Sequence, residues 1–377
     1  MLFFCVFSAA AAALFPAGGF CGTIRSHRVP DRAGAARPCA GTIERKIEWM
    51  DRHAYDVAAL GELLIDFTQN GLSAQGNPLF EANPGGAPAN VLAMLCALGR
   101  RCAFLGKVGA DRFGDRLAGV LRGVGIGLDG LRRDTEAHTT LAFVHTLPGG
   151  DRDFSFCRKP GADMLLRPDE LDRALLESCR IFHFGSLSLT DEPCRSATRE
   201  ALAIARRAGA LISFDPNLRP PLWADSAAAR TQIEWGLSQC DVLKIADNEL
   251  EFMTGEADLF RGADILRGRF PNIRLLNVTL GAEGSRAYCG GAYAAVPGCG
   301  LDGVIETTGA GDAFCACVLD YVLSHGPDGL TGDQLREMLR FANAAAYLVT
   351  TRRGAIRSMP DPAEVAAVLA AWPDSAG

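Results

Sequence analysis

The chain has 377 residues, of which 48% are hydrophobic and 22% are charged, and its formal net charge is -6 at pH 7. This length and composition suffice for one large domain or two ordinary domains with a well-filled core. The net negative charge and the scattered basic residues favour neither a nucleic-acid partner nor an anionic membrane surface.

The first 49 residues do not fit the pattern of a folded domain. Their apolar run, from Leu2 to Leu14, is too short to span a membrane, and the first cation is Arg25, so the run lacks the positive start of a secretory signal. Met50 directly precedes the first strand-like segment. We therefore expect residues 1–49 to be an extension, disordered or derived from a mis-assigned start, and one domain to occupy residues 50–377. A cleaved targeting peptide is the alternative.

From Tyr55 onward, short apolar runs alternate with amphipathic stretches. The apolar runs predict buried strands at 56–66, 102–108, 181–188, 211–215, 242–245 and 275–280. The amphipathic stretches predict helices at 90–98, 113–121, 169–178, 191–208, 227–237, 310–324, 333–350 and 362–371. Thr190 and Asp191 are the expected cap of the helix at 191–208. This alternation predicts an α/β fold with a mostly parallel central sheet covered by helices on both faces.

Two segments interrupt the alternation. Residues 67–84 are polar and rich in turn formers, and residues 139–158 alternate between apolar and polar positions around Pro148-Gly149-Gly150. Alternation of this kind is typical of strands with one covered face. We expect these segments to form a small β flap over the mouth of the main sheet.

The strongest local signal for chemistry is the motif TTGAGDAF at 307–314, which follows a strand-like stub at 305–306 and opens a long apolar helix. The small residues Gly309, Ala310 and Gly311 allow a ligand to approach the backbone, whose free N–H groups favour an anion. Asp312 lies in the first helical turn, where it can accept a proton from a hydroxyl. This combination suits phosphoryl transfer. From the motif alone, an aspartate that serves only the helix dipole is equally acceptable.

Three further polar clusters are expected at the carboxyl edge of the sheet, where open α/β sheets bind ligands. Each has an ordinary explanation as a turn or a helix cap, but their common location favours a binding site. These clusters are Gly85, Gly86 and Asn90 before a helix, Asp66 after a strand, and Asp215, Asn217 and Arg219 after another strand.

Six motifs in register give the chain a family resemblance. They are PGGAPANV at 84–91, GKVGADRFGD at 106–115, FSFCRKPGADMLL at 154–166, FHFGSLSL at 182–189, SFDPNLRPPLW at 213–223, and TTGAGDAF at 307–314. From about Tyr55 to Pro360 the chain resembles the PfkB (ribokinase-like) carbohydrate kinases, and within them the fructokinase branch. The resemblance implies a ribokinase-like three-layer α/β/α core with a small β-strand lid, so residues 50–377 are expected to be a carbohydrate kinase domain with lid segments at about 67–84 and 139–158.

The resemblance also implies an activity, which is ATP-dependent phosphorylation of a sugar hydroxyl by in-line transfer. D-fructose is the first choice of acceptor, and 2-keto-3-deoxygluconate or the sugar of another PfkB kinase is the alternative within the class. A non-catalytic sugar- or nucleotide-binding relative is the alternative from another class.

Roles for individual residues follow from the same resemblance. The catalytic residues are Asp312 as base and Gly309, Ala310 and Gly311 as anion hole. The substrate-binding residues are Asp66, Gly85, Gly86, Asn90, Arg158, Asp215, Asn217 and Arg219, with Arg158 reaching the substrate or the phosphate. The nucleotide-side residues are Lys244, Thr279, Gly281, Gly284 and Asn343.

Two positions depart from the family pattern and concern metal ions. The family uses Mg-ATP, and Glu249 is expected to order the Mg²⁺-bound water, although Ala246 stands where the family has Asn. Glu306 replaces an Asp that helps to hold K⁺ in many members, so dependence on K⁺ is left open.

The resemblance also implies a homodimer paired through the lid strands. The 13 cysteines lack zinc-like spacing and are expected to be reduced thiols, as in a cytoplasmic protein.

Overall fold

The computed structural model describes residues 53–146, 152–300 and 302–372. All of them belong to one unit, Glu48–Gly377. The expectations for residues 1–49 and for the turn at Pro148-Gly149-Gly150 lie outside the described residues. Across the described part of the chain, no helix combines the length and the apolar character that crossing a membrane requires.

Thirteen strands are formed by the described residues. In chain order they are β1 (Tyr55–Leu60), β2 (Leu64–Leu72), β3 (Pro78–Gly85), β4 (Cys102–Gly109), β5 (Gly127–Asp134), β6 (Leu141–Thr146), β7 (Arg152–Cys157), β8 (Cys179–Gly185), β9 (Leu211–Asp215), β10 (Val242–Ala246), β11 (Leu275–Thr279), β12 (Ser285–Cys289) and β13 (Ala292–Val296). Nine of these form a large sheet in the order β13-β12-β11-β10-β9-β8-β1-β4-β5, and the other four form a small sheet in the order β3-β2-β6-β7.

The large sheet is parallel from β11 to β5, and only β12 and β13 join it as antiparallel strands at one edge. Its central strands are mostly apolar because helices cover both faces. In β1, Val57 and Ala59 pack into the core on one face, whereas Ala58 and Leu60 pack into the core on the other. The three layers and the mostly parallel sheet that the sequence predicts are therefore confirmed.

Helices form the two outer layers. Within the described ranges they are α1 (Ala87–Ala97), α2 (Arg112–Gly123), α3 (Arg173–Glu177), α4 (Cys194–Arg207), α5 (Ser226–Gln239), α6 (Asp247–Thr254), α7 (Leu259–Arg269), α8 (Ala310–His325), α9 (Gly332–Thr350) and α10 (Pro362–Ala371). Helices α1, α8 and α9 carry three of the polar side chains described below, namely Asn90, Asp312 and Asn343.

The predicted strand at 56–66 is wrong, because it is two strands in two different sheets. The chain bends at Gly61, where a Cβ would lie only 2.6 Å from the ring of Pro88 in α1. After the bend, β2 belongs to the small sheet, where it pairs with β3 in antiparallel fashion and with β6 in parallel fashion. The polar segment 67–84 is therefore the β2–β3 hairpin, and the small sheet is the expected β lid.

Local differences from the prediction have local causes. Helix α4 begins at Cys194 after Pro193, without the side-chain cap expected from Thr190 and Asp191. The stub at 305–306 is no strand, since the amides of Ile305 and Glu306 both donate to the carbonyl of Thr350 at the end of α9. Several elements were not predicted, namely β5, β12, β13, α6 and α7.

Candidate active site

A cavity of about 820 Å³ lies between the carboxyl edge of the large sheet and the small sheet. Its size is within the range that holds a small molecule and its co-substrate. Fifteen of the nineteen residues predicted for the site line it, namely Asp66, Gly86, Asn90, Asn217, Arg219, Lys244, Thr279, Gly281, Gly284, Glu306, Gly309, Ala310, Gly311, Asp312 and Asn343. The other four, Gly85, Arg158, Asp215 and Glu249, lie behind the wall.

The start of α8 forms one part of this wall. Gly309 precedes the helix in a left-handed conformation (φ 85°), and a Cβ there would lie 3.0 Å from that of Ala355. Glycine avoids both the strain and the contact. Asp312 is buried in the first turn, on the cavity side of a helix start whose free N–H groups attract negative charge.

Asn90 in α1 contacts Asp312 directly. Its Nδ2 donates a hydrogen bond of 2.7 Å to Oδ2 of Asp312, and its own Oδ1 is buried with no hydrogen-bond partner among the described residues. The bond fixes the rotation of the carboxylate and occupies one of its two oxygens. Asn90 is therefore placed to orient Asp312 as well as to contact a ligand.

Burial raises the pKa of Asp312 to about 6, and the negative charge of Asp215 acts in the same direction. The hydrogen bond from Asn90 and the charges of Lys244 and Arg219 oppose this rise. A carboxylate with a pKa near 6 is ionised at neutral pH and is more basic than an exposed aspartate, as a general base requires.

Asp66 faces Asp312 from the small sheet. Removal from bulk water raises the pKa of Asp66 to about 7, and the neighbouring charges of Glu306 and Asp312 add to the rise while Arg219 opposes it. Gly85 on β3, which pairs with Leu64, leaves room for this carboxylate, because a Cβ on Gly85 would lie 2.3 Å from Oδ2 of Asp66. Gly85 therefore shapes the site without lining it.

Lys244 on β10 lies beneath the turn that opens α8. Its Nζ is 3.1 Å from Oδ2 of Asp215, and it would lie 3.2 Å from a Cβ on Gly311. Burial by itself lowers the pKa of Lys244, but the carboxylates of Asp215, Glu249 and Asp312 together raise it above its usual value. The lysine thus keeps a positive charge next to the helix start.

The loop after β9 brings two more polar side chains to the cavity. Asn217 has a left-handed backbone (φ 45°), and its amide donates to Oδ1 of Asp215 at 3.2 Å. This turn directs the chain so that Asn217 and Arg219 both line the cavity. Arg219 is exposed, and its charge acts on both Asp66 and Asp312.

The opposite half of the cavity is formed by β11, the loops beside β12 and β13, and α9. Thr279 ends β11, and the turn through Gly281 and Gly284 follows it. Asn343 in α9 donates from Nδ2 to the carbonyls of Val296 and Pro297, and its Oδ1 accepts from the Ser285 hydroxyl at 2.8 Å. The polar atoms of Asn343 therefore hold the wall of this half together.

Arg158 and Glu249 do not lie where the sequence predicts. The guanidinium of Arg158 is buried behind the wall, where it donates to Asp163 at 2.8 Å, to the Thr190 hydroxyl and to the carbonyl of Leu187. Glu249 is buried too, and its two oxygens accept from the amides of Leu218 (2.7 Å) and Ala246 (2.9 Å). Both side chains hold loops that carry residues of the cavity wall.

Glu306 joins two loops at the cavity. Oε1 accepts from the Thr308 hydroxyl at 2.8 Å, and Oε2 accepts from the amide of Gly354 at 3.2 Å. In the ranges that the structure describes, no group of three or more His, Cys, Asp or Glu side chains could hold a metal ion. A cation at this cavity would therefore have at most two of these side chains as ligands within the described ranges.

Glu62 also lines the cavity, and the sequence-based site does not include it. The available signal was an acidic residue inside an apolar run, directly after Gly61. A charge in such a run requires a hydrogen-bond partner, but the motif by itself does not identify one.

Comparisons with known proteins identify relatives over most of the chain. A family profile described as "pfkB family carbohydrate kinase" matches residues 54–362. "Probable fructokinase-2" of Arabidopsis thaliana is 44% identical over 315 residues, which cover 83% of this chain and 95% of that protein.

Two solved structures are similar over most of the chain. The fructokinase of Xylella fastidiosa with bound ATP has a TM-score of 0.75 at 33% identity, covering 84% of this chain and 99% of that one. The fructokinase of Vibrio cholerae O395 with bound fructose, ADP and calcium ion has a TM-score of 0.74 at 31% identity, covering 83% and 98%.

Proposed function

The chain belongs to the pfkB family of carbohydrate kinases, and we propose that it transfers the γ-phosphoryl group of ATP to a hydroxyl of D-fructose. The Arabidopsis relative described above is named a probable fructokinase, and the two solved structures described above are fructokinases, one with ATP bound and one with fructose and ADP bound. The observation that carries the proposal is the hydrogen bond between Asn90 and Asp312 at the start of α8, in one cavity with Asp66.

In this proposal Asp312 is the general base. Asn90 holds Oδ2, so Oδ1 accepts the proton of the acceptor hydroxyl. The backbone amides of Gly309, Ala310 and Gly311 would stabilise the charge of the transferring group at a helix start that carries partial positive charge. The amide of Ala310 also donates to the carbonyl of Thr307 at 3.3 Å, so it would have to share or exchange this bond. Direct in-line transfer then needs no phosphoenzyme.

Other residues position the two substrates. Asp66, Gly86, Asn90 and Asn217 contact the sugar, and Arg219 balances the carboxylates around it. The triphosphate lies along the opposite half, against Lys244, Thr279, Gly281 and Gly284, with Asn343 supporting the adenine side. Thus the acceptor and donor meet at Asp312.

We propose Mg²⁺ as the divalent ion and leave K⁺ as a prediction. Mg²⁺ usually keeps several waters and takes only one or two protein carboxylates beside the nucleotide phosphates, which fits a cavity without a cluster of acidic ligands among the described residues. Asp247 lines the cavity, whereas Glu249 lies behind the wall with both oxygens bonded to backbone amides, so Glu249 would reach Mg²⁺-bound water only if one of these bonds were exchanged. When bound, Mg²⁺ neutralises phosphate charge. Glu306 is the candidate K⁺ contact, and both of its oxygens already accept protein hydrogen bonds.

The charge around the acceptor supports a neutral sugar over 2-keto-3-deoxygluconate, which carries a carboxylate. Five acidic side chains, Glu62, Asp66, Asp247, Glu306 and Asp312, line the cavity. Arg158 is neutralised by Asp163 behind the wall and does not face the ligand. An acidic sugar would therefore meet repulsion that only Arg219 and Lys244, the latter already paired with Asp215, oppose among the described lining residues. The proposal of a non-catalytic binding relative is disfavoured by the intact base.

A coupled ADP-release assay over a panel of sugars tests the function. We expect turnover with D-fructose and Mg-ATP, and at least tenfold lower kcat/KM with 2-keto-3-deoxygluconate. A higher kcat/KM with 2-keto-3-deoxygluconate than with D-fructose would show that the acid, and not fructose, is the substrate. Sugar binding without ADP release across the panel would indicate the binding relative.

We further propose a cytoplasmic enzyme that pairs through its lid strands. Within the described residues the ten cysteines are free, as in reducing compartments. Leu72 and Leu79 of the β2–β3 hairpin are exposed by 63% and 49%, and β3 is an edge strand. Such an edge favours pairing with a second copy.

A further inference from the structure

Glu62 lies in the connection of residues 61–63, by which the chain leaves β1 of the large sheet and enters β2 of the small sheet. Its side chain lines the cavity, although the residue is only 4% exposed. A carboxylate in this position has lost most of its hydration. It therefore needs hydrogen-bond donors from the protein or from a ligand.

Helix α1 fixes the position of Glu62. The amide of Ala87, the first residue of the helix, donates a hydrogen bond of 2.7 Å to Oε1. A Cβ on Gly86 would lie 2.3 Å from the carbonyl oxygen of Glu62, so the start of the helix packs directly on its backbone. One carboxylate oxygen is therefore held in place at the cavity wall.

No side chain in the described ranges donates a hydrogen bond to the other carboxylate oxygen. The donors to the carboxylate are the amide of Ala87 and the amide of Glu62 itself. Arg158 acts on the carboxylate through its charge, but three of its guanidinium N–H groups donate to Asp163, Thr190 and Leu187. Consistent with this shortage, burial raises the pKa of Glu62 to about 7.

We propose that Glu62 is a specificity-determining residue for the acceptor, in which Oε2 accepts a hydrogen bond from one sugar hydroxyl while Oε1 stays bonded to Ala87. This inference rests on the proposed sugar kinase function. A hydroxyl is the donor that fits, because Asp66 and Asn90 already give the same wall the character of a polyol site. An acceptor without that hydroxyl would leave a buried charge unpaired, and sites of this kind reject such analogues strongly.

The substitution Glu62→Gln tests the inference with little change in shape. The amide oxygen can still accept from Ala87, whereas the amide nitrogen replaces Oε2 by a donor. We expect KM for fructose to rise about 10- to 100-fold, as for the loss of a hydrogen bond to a charged group. The KM for ATP and the melting temperature should stay near the wild-type values.

Asp225→Asn is the matched control. Asp225 is exposed, lies outside the cavity, and accepts from the amide of Ala228 at the start of α5 at 2.7 Å, so the substitution makes the same change at another helix cap. We expect both KM values to be unchanged in this control. An unchanged KM for fructose in Glu62→Gln would show that Glu62 only caps the start of α1, and it would overturn the inference.

A second measurement keeps the test decisive if Glu62→Gln lowers the melting temperature. Calorimetric binding of fructose and of its monodeoxy analogues to wild type and variant gives a cycle for each hydroxyl. We expect one monodeoxy analogue to bind the wild type more weakly than fructose does. The Glu62→Gln variant should bind this analogue and fructose with similar affinity. Additive losses for every analogue would refute the contact. Should the wild type prefer another sugar of the panel, the fructose proposal fails, and the same cycle on that sugar still tests Glu62.

Discussion

Replacing Asp312 by Asn should abolish most of the activity and yet stabilise the fold. The neutral amide keeps the size of the side chain and can still accept from Asn90, so the sugar site is preserved. It cannot take a proton from the acceptor, and general bases contribute about 10²- to 10⁴-fold to rate. At pH 8 we expect kcat to fall by at least that factor, with KM for fructose changed by less than about threefold.

The gain in stability follows from the pKa. Burial raises the pKa of Asp312 from 3.8 to about 6, and about 2 units correspond to about 3 kcal/mol. Because the folded state binds the proton more tightly than the unfolded state, the ionised carboxylate destabilises the fold most above pH 6. This penalty shrinks as the pH falls from 6 to 4. The free energy of unfolding of Asp312→Asn should therefore exceed that of the wild type by about 1–3 kcal/mol at pH 8, and the two should be equal at pH 4.

The ADP-release assay and urea unfolding at pH 8, 6 and 4 measure the two effects. Asp320→Asn, farther along α8, is the control, because Asp320 is only part-buried and pairs with Arg100 at 2.6 Å. This control should keep wild-type kcat and gain no stability. Near-full turnover in Asp312→Asn would refute the base, and a loss of stability at pH 8 would refute the reasoning from burial.

Two further substitutions test the neighbours of the base. Gly85→Ala places a methyl group against Oδ2 of Asp66, so KM for fructose should rise about tenfold while KM for ATP stays unchanged; equal effects on both would argue against Asp66 as a sugar contact. Lys244→Met leaves Asp215 as an unpaired buried charge and should cost about 3–5 kcal/mol in urea unfolding. It also removes a charge that lowers the pKa of Asp312, so the acid limb of the kcat profile should move to higher pH; an unmoved limb would contradict this role.

The sequence predicts those elements whose signal is local. The strands at 102–108 and 211–215 are short apolar runs with clear ends, and both are found within one residue. The run at 56–66 is also largely apolar, so its hydrophobic pattern gives no sign of the bend at Gly61. The bend is caused by the packing of Gly61 against Pro88, 27 positions along the chain, which no local pattern reports.

The same limit applies to the site. Motifs place Asp312, Asn90 and Asp66 correctly around one cavity, because glycine-rich turns at strand ends leave few alternatives. They do not report which polar atoms are already satisfied inside the protein. Arg158 is predicted to face the ligand but is paired with Asp163, whereas Glu62 is passed over although it does face the cavity. Whether a charge is paired inside the protein is a three-dimensional property.

The division of the cavity between two sheets has a further consequence. Asp66 belongs to the small sheet, and Lys244 to the large one, so a molecule that touches both walls acts as a tie between them. When a sugar contacts both walls, part of its binding energy can fix the angle between the small and the large sheet. A water molecule offers far fewer contacts to the two walls than a sugar does. The enzyme can thereby recognise its acceptor by reach as well as by hydrogen bonds, and hydrolysis of ATP in the absence of sugar should be correspondingly slow.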